Sequence, residues 1–504
     1  MITIKRSADK LTTYISVWML VFSCGLLAYC ASHEEVESSS KDCIELADSA
    51  ERKKILENGI RGQVRFIDET EDLQTITQKL STYRIPALSL AIIDQGEIEW
   101  TEVYHNSNFP DEVNLDCASV FQAASLSKPV TFMAAVRMQA AGEIDFDQNI
   151  EDYVTDYELP NGEQREENPV TFRNIFSHSS GIGPGGYEGY PKDRDLPTDL
   201  DILYGKPGVN SPAIAVVASP NSTLAYSGGA YTLAELALQD IYAEPFATIM
   251  RRWILDPIGM NISDFSQPLP NEKWDQAAKA YTQSGEVVPG GWHNYPEQAA
   301  AGLWSTPADL AKFLIEIYQA YHGNSELFSR SEIQAILKDE RDGLAYGFII
   351  ERSDGGLSIT HYGGNAGFRS GMTIDLENGT GLVYLINSDN GGALGSELFL
   401  SASQVYDWAH FKQVNVKRKE VNPEDLKGLA GKYRWNGQID LDITWDESSQ
   451  QISLHFPNGD EYELVTIEGD NLDLIHPNSG VEVSFLWEED LQSFRLYGQT
   501  AEKM

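Results

Sequence analysis

The sequence predicts an α+β protein in which one sheet, built from two halves distant in sequence, encloses a helix-rich middle and is followed by a small all-β unit. Three observations carry this. Strand patterns recur on both sides of a long stretch with helical spacing, and past about residue 412 the chain changes to short alternating strands separated by turn signals.

The elements follow in order. Lys5, Arg6 and Lys10 precede an uncharged apolar run from Tyr14 to Ala28, the layout of a secretory leader, so residues 1–30 read as a signal peptide or lipoprotein leader. The run falls short of the roughly 20 residues of a spanning helix, and a single N-terminal anchor is the alternative. Val21-Phe22-Ser23-Cys24 and Leu27-Ala28-Tyr29-Cys30 both resemble a bacterial lipoprotein cleavage box, which leaves lipidation open. The expected location is exported, periplasmic or held at a membrane by an N-terminal lipid or anchor. Residues 31–59 are polar and acidic and read as a tether. Once the leader is gone, Cys43 and Cys117 form a potential pair that spacing alone does not decide.

The folded body is expected over residues 60–412. It opens with a helical pattern at Leu73–Leu80, then a hairpin: Ala87 to Ile93, the turn Asp94-Gln95-Gly96, and Ile98 to Trp100. Helical spacing dominates from roughly residue 125 to 320, interrupted by Gly/Pro stretches such as Gly181 to Pro191. Thr306-Pro307-Ala308-Asp309 spells a helix start: a capping hydroxyl, a first-turn proline and an acid suited to the positive end of the helix dipole. Strand patterns return at Tyr346–Ile350, Met372–Ile374 and Gly381–Ile386, and residues 413–504 form the all-β accessory unit.

Composition removes several function classes. With 37 Lys+Arg against 76 Asp+Glu in 504 residues, the net charge is −39, which repels phosphate backbones, and no basic stripe offsets it. Nucleic acid is therefore not an expected partner. The nine histidines are scattered without HExxH, and no CxxC occurs. Asp145-Phe146-Asp147-Gln148-Asn149 begins like a calcium loop, but Ile150 stands where glycine makes the turn. GxGxxG, GxxxxGK[ST] and GxSxG are all missing, which removes the usual nucleotide-binding and α/β-hydrolase readings.

What remains is Ser125-Leu126-Ser127-Lys128 at the head of an apolar helical stretch. Residues three apart share a helix face, so the amine lies against the hydroxyl. A lysine serves as base to a serine only when burial or a nearby cation lowers its pKa from about 10.4. Pro129 fits a helix start there. Tyr226-Ser227-Gly228 stands on a loop just before another helical pattern, and His361-Tyr362-Gly363-Gly364 at a strand edge, where glycines admit close approach and offer N–H groups to an oxyanion.

At these three places the chain resembles the serine β-lactamase and penicillin-binding-protein superfamily, in the branch of class C β-lactamases, D-alanyl-D-alanine carboxypeptidases, D-aminopeptidases and related esterases. Thr171 to Gly181, Ala301 to Thr306 and His361 to Ser370 resemble further segments of that branch, and the likeness covers about residues 60–412. It implies a β-lactamase/transpeptidase-like fold, an antiparallel sheet flanked by helices plus a helical subdomain.

By resemblance, Ser125 attacks a carbonyl to form an acyl-enzyme, and Lys128 and Tyr226 share the proton transfers, with Tyr226 the direct base. The N–H groups of Ser125 and Gly364 form the oxyanion hole, with Gly363 and His361 lining the substrate site. Two departures stand out. His361 replaces the usual lysine, which weakens carboxylate binding, with Arg369 either a substitute anion partner or a structural ion pair. Gly228 replaces the asparagine of Y-x-N. His178 falls on a structural segment. No cofactor or metal is implied. The expected substrate is a small ester, amide or peptide-like molecule, and the competing reading is an idle relative that binds peptidoglycan fragments or a protein partner.

Overall fold

The computed structural model describes residues 43–504 except 110–111, 113, 354–355, 458 and 487–491. The leader, Cys24 and Cys30 lie outside the described residues; among the described residues, no helix is long and apolar enough to cross a membrane.

The segment expected to be a tether is folded from residue 43 onward. Helix α1 (Ala50–Glu57) buries Leu56. Ahead of it, the N–H of Leu46 donates to Glu99 O and that of Thr101 to Ile44 O. Cys43 is disulfide-bonded to Cys117. Residues 31–42 of the expected tether lie outside the described residues; beyond them Arg52 pairs with Asp94 at 2.8 Å and with Glu99, and Lys53 with Glu102 at 2.9 Å. Composition registers polarity but not these partners, and Asp94, Glu99 and Glu102 stand more than forty positions downstream.

The hairpin is β1 (Ala87–Asp94) and β2 (Glu97–His105). After it come α2 (Ser127–Ala140), α3 (Gly228–Tyr242), α4 (Gln298–Ala301) and α5 (Pro307–His322). Thr306 caps α5, its hydroxyl accepting from the N–H of Asp309 at 3.2 Å. The chain then returns through β3 (Phe348–Ser353), β4 (Gly356–Asn365), β5 (Phe368–Asp375) and β6 (Gly381–Ile386), and closes the domain with α6 (Gly391–Val405).

One antiparallel seven-stranded sheet joins the halves in the order Leu344–Ala345, β3, β4, β5, β6, β1, β2. The seam is β6 against β1, pairing Gly381 with Ile93 and Ile386 with Leu88. Period-two alternation puts Ala91 and Ile93 of β1 in the core shared with α2, α3 and α5, while Leu88, Leu90 and Ile92 face α1 and α6. Both faces are covered, so these strands read as continuous apolar runs.

The C-terminal unit is more than a set of antiparallel strands. Eight strands between Gly431 and Lys503 close into a barrel, with Tyr433 paired to Lys503, around a core that includes Tyr433, Leu454, Leu474, Phe485 and Phe494. Closure removes the edges that short strands would otherwise expose.

Candidate active site

Ser125 sits in a single 3-10 turn, Ala124–Leu126, which leads into α2 and gives Ser125 and Lys128 a common face. The turn is strained: Ala124 has φ +50°, a region costly for any residue with a β-carbon. Neighbouring hydrogen bonds hold it. Ser370 Oγ donates to Ala123 O at 2.8 Å, Ser127 Oγ donates to Ala124 O at 2.6 Å, and the N–H of Ala123 donates to Leu303 O.

Lys128 is buried, its Nζ 3.3 Å from Ser125 Oγ and donating to Ala300 O of α4 at 2.8 Å. Burial alone lowers its pKa to about 7. Tyr226, just before α3, stands over the same amine, with Nζ 4.6 Å from its ring centroid, and its phenol interacts with the Ser125 hydroxyl. Burial raises the phenol well above its ordinary pKa. The capping hydroxyl of Ser227, accepting from the N–H of Ala230 at 2.9 Å, fixes where α3 begins and so where Tyr226 points.

Strand β4 forms the other wall. Its pairing with β3 ends at Thr360, so His361 to Asn365 run on past β3 beside the serine turn. Gly363 makes that approach feasible, because a β-carbon there would stand 2.5 Å from Ala123 O. The glycine thus admits the serine turn rather than substrate, whereas Gly364 is exposed. Asn365 ties β4 to the strand before the serine turn by donating to Gln122 Oε1 at 2.7 Å, and to α4 by donating to Ala301 O at 3.1 Å.

His361 is buried, and burial with the nearby Lys128 charge lowers its pKa to about 3, so the ring is neutral. Arg369 pairs with Asp389 at 2.9 Å and also donates to Asn365 O and Phe368 O. At Gly228 a β-carbon would be tightly placed, 3.0 Å from the Tyr187 ring and 3.1 Å from Gly185 O. Tyr187, Gln122 and Ala300 carry no local signal, because their roles come from contacts made across the fold.

A family model described as Beta-lactamase matches residues 73–405. Penicillin-binding protein 4* of Bacillus subtilis is 19% identical over 459 residues, covering 86% of this chain and 98% of that protein. Protein flp of Staphylococcus aureus is 19% identical over 329 residues, covering 64% of this chain and 63% of that protein. Among solved structures, the octameric penicillin-binding protein homologue from Pyrococcus abyssi superposes with a TM-score of 0.58 at 20% identity, covering 85% of this chain and 98% of that one. The D-amino acid amidase from Ochrobactrum anthropi gives 0.51 at 19% identity over 66% of this chain and 97% of that one. These structural likenesses concern the fold. With the family model spanning well over half the chain, the protein belongs to the Beta-lactamase family, the superfamily of β-lactamases and penicillin-binding proteins.

Proposed function

We propose that the protein is an exported serine hydrolase of the class C-related branch, acting by acyl transfer on an ester or amide that carries no carboxylate beside the scissile bond. The observation behind it is one hydroxyl, Ser125 Oγ, approached at 3.3 Å by a buried amine of lowered pKa and contacted by a buried phenol. At neutral pH a substantial fraction of Lys128 is uncharged and accepts the Ser125 proton as the carbonyl is attacked. Tyr226, protonated at rest, relays the proton to the leaving group. Lys128, rather than Tyr226, is then the resident base. The N–H groups of Ser125 and Gly364 would receive the oxyanion, a donor of this kind contributing about 3 kcal/mol. Water deacylates the serine by the reverse proton path.

The substrate restriction rests on the two groups expected to receive an anion. His361 is neutral and Arg369 is committed to Asp389. Gly228 adds to it, as glycine offers no side-chain amide to hold an acylamino group. The Cys43–Cys117 bond accords with an oxidising compartment.

A fluorophosphonate probe should label Ser125, and Ser125→Ala should abolish labelling; unlabelled folded protein would favour the binding-only alternative. Short p-nitrophenyl esters should turn over faster than a chromogenic cephalosporin. The opposite order would remove the substrate restriction while leaving the hydrolase reading intact.

A further inference from the structure

His178 lies beside the site, within the segment Ser177 to Gly181. That segment runs along residues 217–227, with the N–H of Val217 donating to Gly181 O, that of Asn221 to Ser179 O and that of Ala225 to His178 O. The approach is close enough that a β-carbon on Gly181, at φ +74°, would collide with Ala218 O.

Three contacts from His178 converge on Tyr226. The residue before it donates its N–H to the His178 carbonyl at 2.8 Å, and the residue after it, Ser227, donates its N–H to Nδ1 at 3.2 Å. Between these two, the imidazole packs on the Tyr226 ring with centroids 4.5 Å apart. His178 is only 1% exposed and is held at φ +56°, a left-handed conformation in which histidine and asparagine are enriched among residues with a β-carbon. Since Nδ1 accepts from a backbone N–H, the neutral ring carries its proton on Nε2.

We propose that His178 is a positioning residue for Tyr226, bracketing it through the backbone on both sides and through its ring so that the phenol is held on the Ser125 hydroxyl. The inference rests on the hydrolase reading. His178 touches neither substrate nor the reacting atoms, and it acts by limiting the rotation of Tyr226 about its own backbone. An ångström-scale displacement of a proton-transferring group costs about 100-fold in rate.

The side-chain acceptor is separable from the ring. In His178→Asn, Oδ1 stands near the place of Nδ1 and asparagine tolerates the left-handed backbone. In His178→Gln the carbonyl lies one bond further out and misses the Ser227 N–H, and His178→Phe keeps a ring but no acceptor. With a p-nitrophenyl ester, we expect kcat of the Gln and Phe variants to fall about 100-fold with KM within about threefold, while Asn recovers kcat to within about fivefold of wild type. Thermal unfolding is measured alongside, and should Phe not fold, the Asn and Gln pair decides. Equal kcat for Asn and Gln, or losses that only follow the folded fraction, would overturn the positioning role. Wild-type labelling by a fluorophosphonate separates the two ideas: a labelled wild type with indifferent variants sinks this inference alone, and an unlabelled folded wild type sinks the hydrolase reading and this inference with it.

Discussion

Two lysines are buried on opposite faces of one sheet, and they differ in what meets the amine. Lys79, on the helix Ile76–Tyr83, pairs with Glu397 of α6 at 2.8 Å. Lys128, on α2, meets a serine hydroxyl, the Ala300 carbonyl and the Tyr226 ring, and its pKa falls to about 7 through burial alone. A buried ammonium is tolerated when a carboxylate and hydrogen bonds offset its desolvation. Without the carboxylate the amine sheds its proton near neutrality, which is what the proposed function asks of a base. The first arrangement is a structural fastening; the second trades stability for reactivity.

The largest expected effect tests that contrast directly. Lys128→Met should lower kcat/KM by about 1000-fold or more, whereas Lys79→Met should leave it within about threefold. Stability should move the opposite way. A folded-state pKa below the unfolded value of 10.5 means that the folded state disfavours the charged amine. That destabilisation is full below about pH 7 and vanishes above the unfolded pKa. Lys128→Met should therefore stabilise the protein at pH 6 by a few kcal/mol, while Lys79→Met, which strands Glu397, should destabilise it by about 3–5 kcal/mol. Chemical denaturation of both variants reads these signs, and equal signs would break the comparison.

Next in size is the disulfide. Cys43→Ser with Cys117→Ser should cost about 2–4 kcal/mol in urea unfolding and leave ester turnover unchanged, because the bond secures the N-terminal segment rather than the serine turn. Smallest is Asp389→Asn. Freed from its ion pair, Arg369 should bind carboxylate-bearing substrates a few-fold better, read as a lower KM for a cephalosporin.

Much of this was legible wherever the signal was local. The hairpin at Ala87, the α5 cap at Thr306 and the placement of Ser125 and Lys128 on one turn follow from spacing and side-chain chemistry. The docking of residues 43–58, the closure of the barrel and the tyrosine that stands against Gly228 do not, since each depends on a partner far along the chain. The pairing of Arg369 with Asp389, twenty positions on, is likewise visible only in the fold. By resemblance His178 falls on a structural segment; only the fold brings its carbonyl and Nδ1 to either side of Tyr226.

The central claim is that a lysine left without a counter-charge activates Ser125, and the pH dependence of Ser125 phosphonylation tests it most directly. The second-order rate of fluorophosphonate labelling, measured from pH 5 to 10, should rise about tenfold per unit at the acid end and level off with a midpoint of about 7. A rate that is flat through neutrality, or that rises only near pH 10 as an ordinary lysine would, contradicts the account.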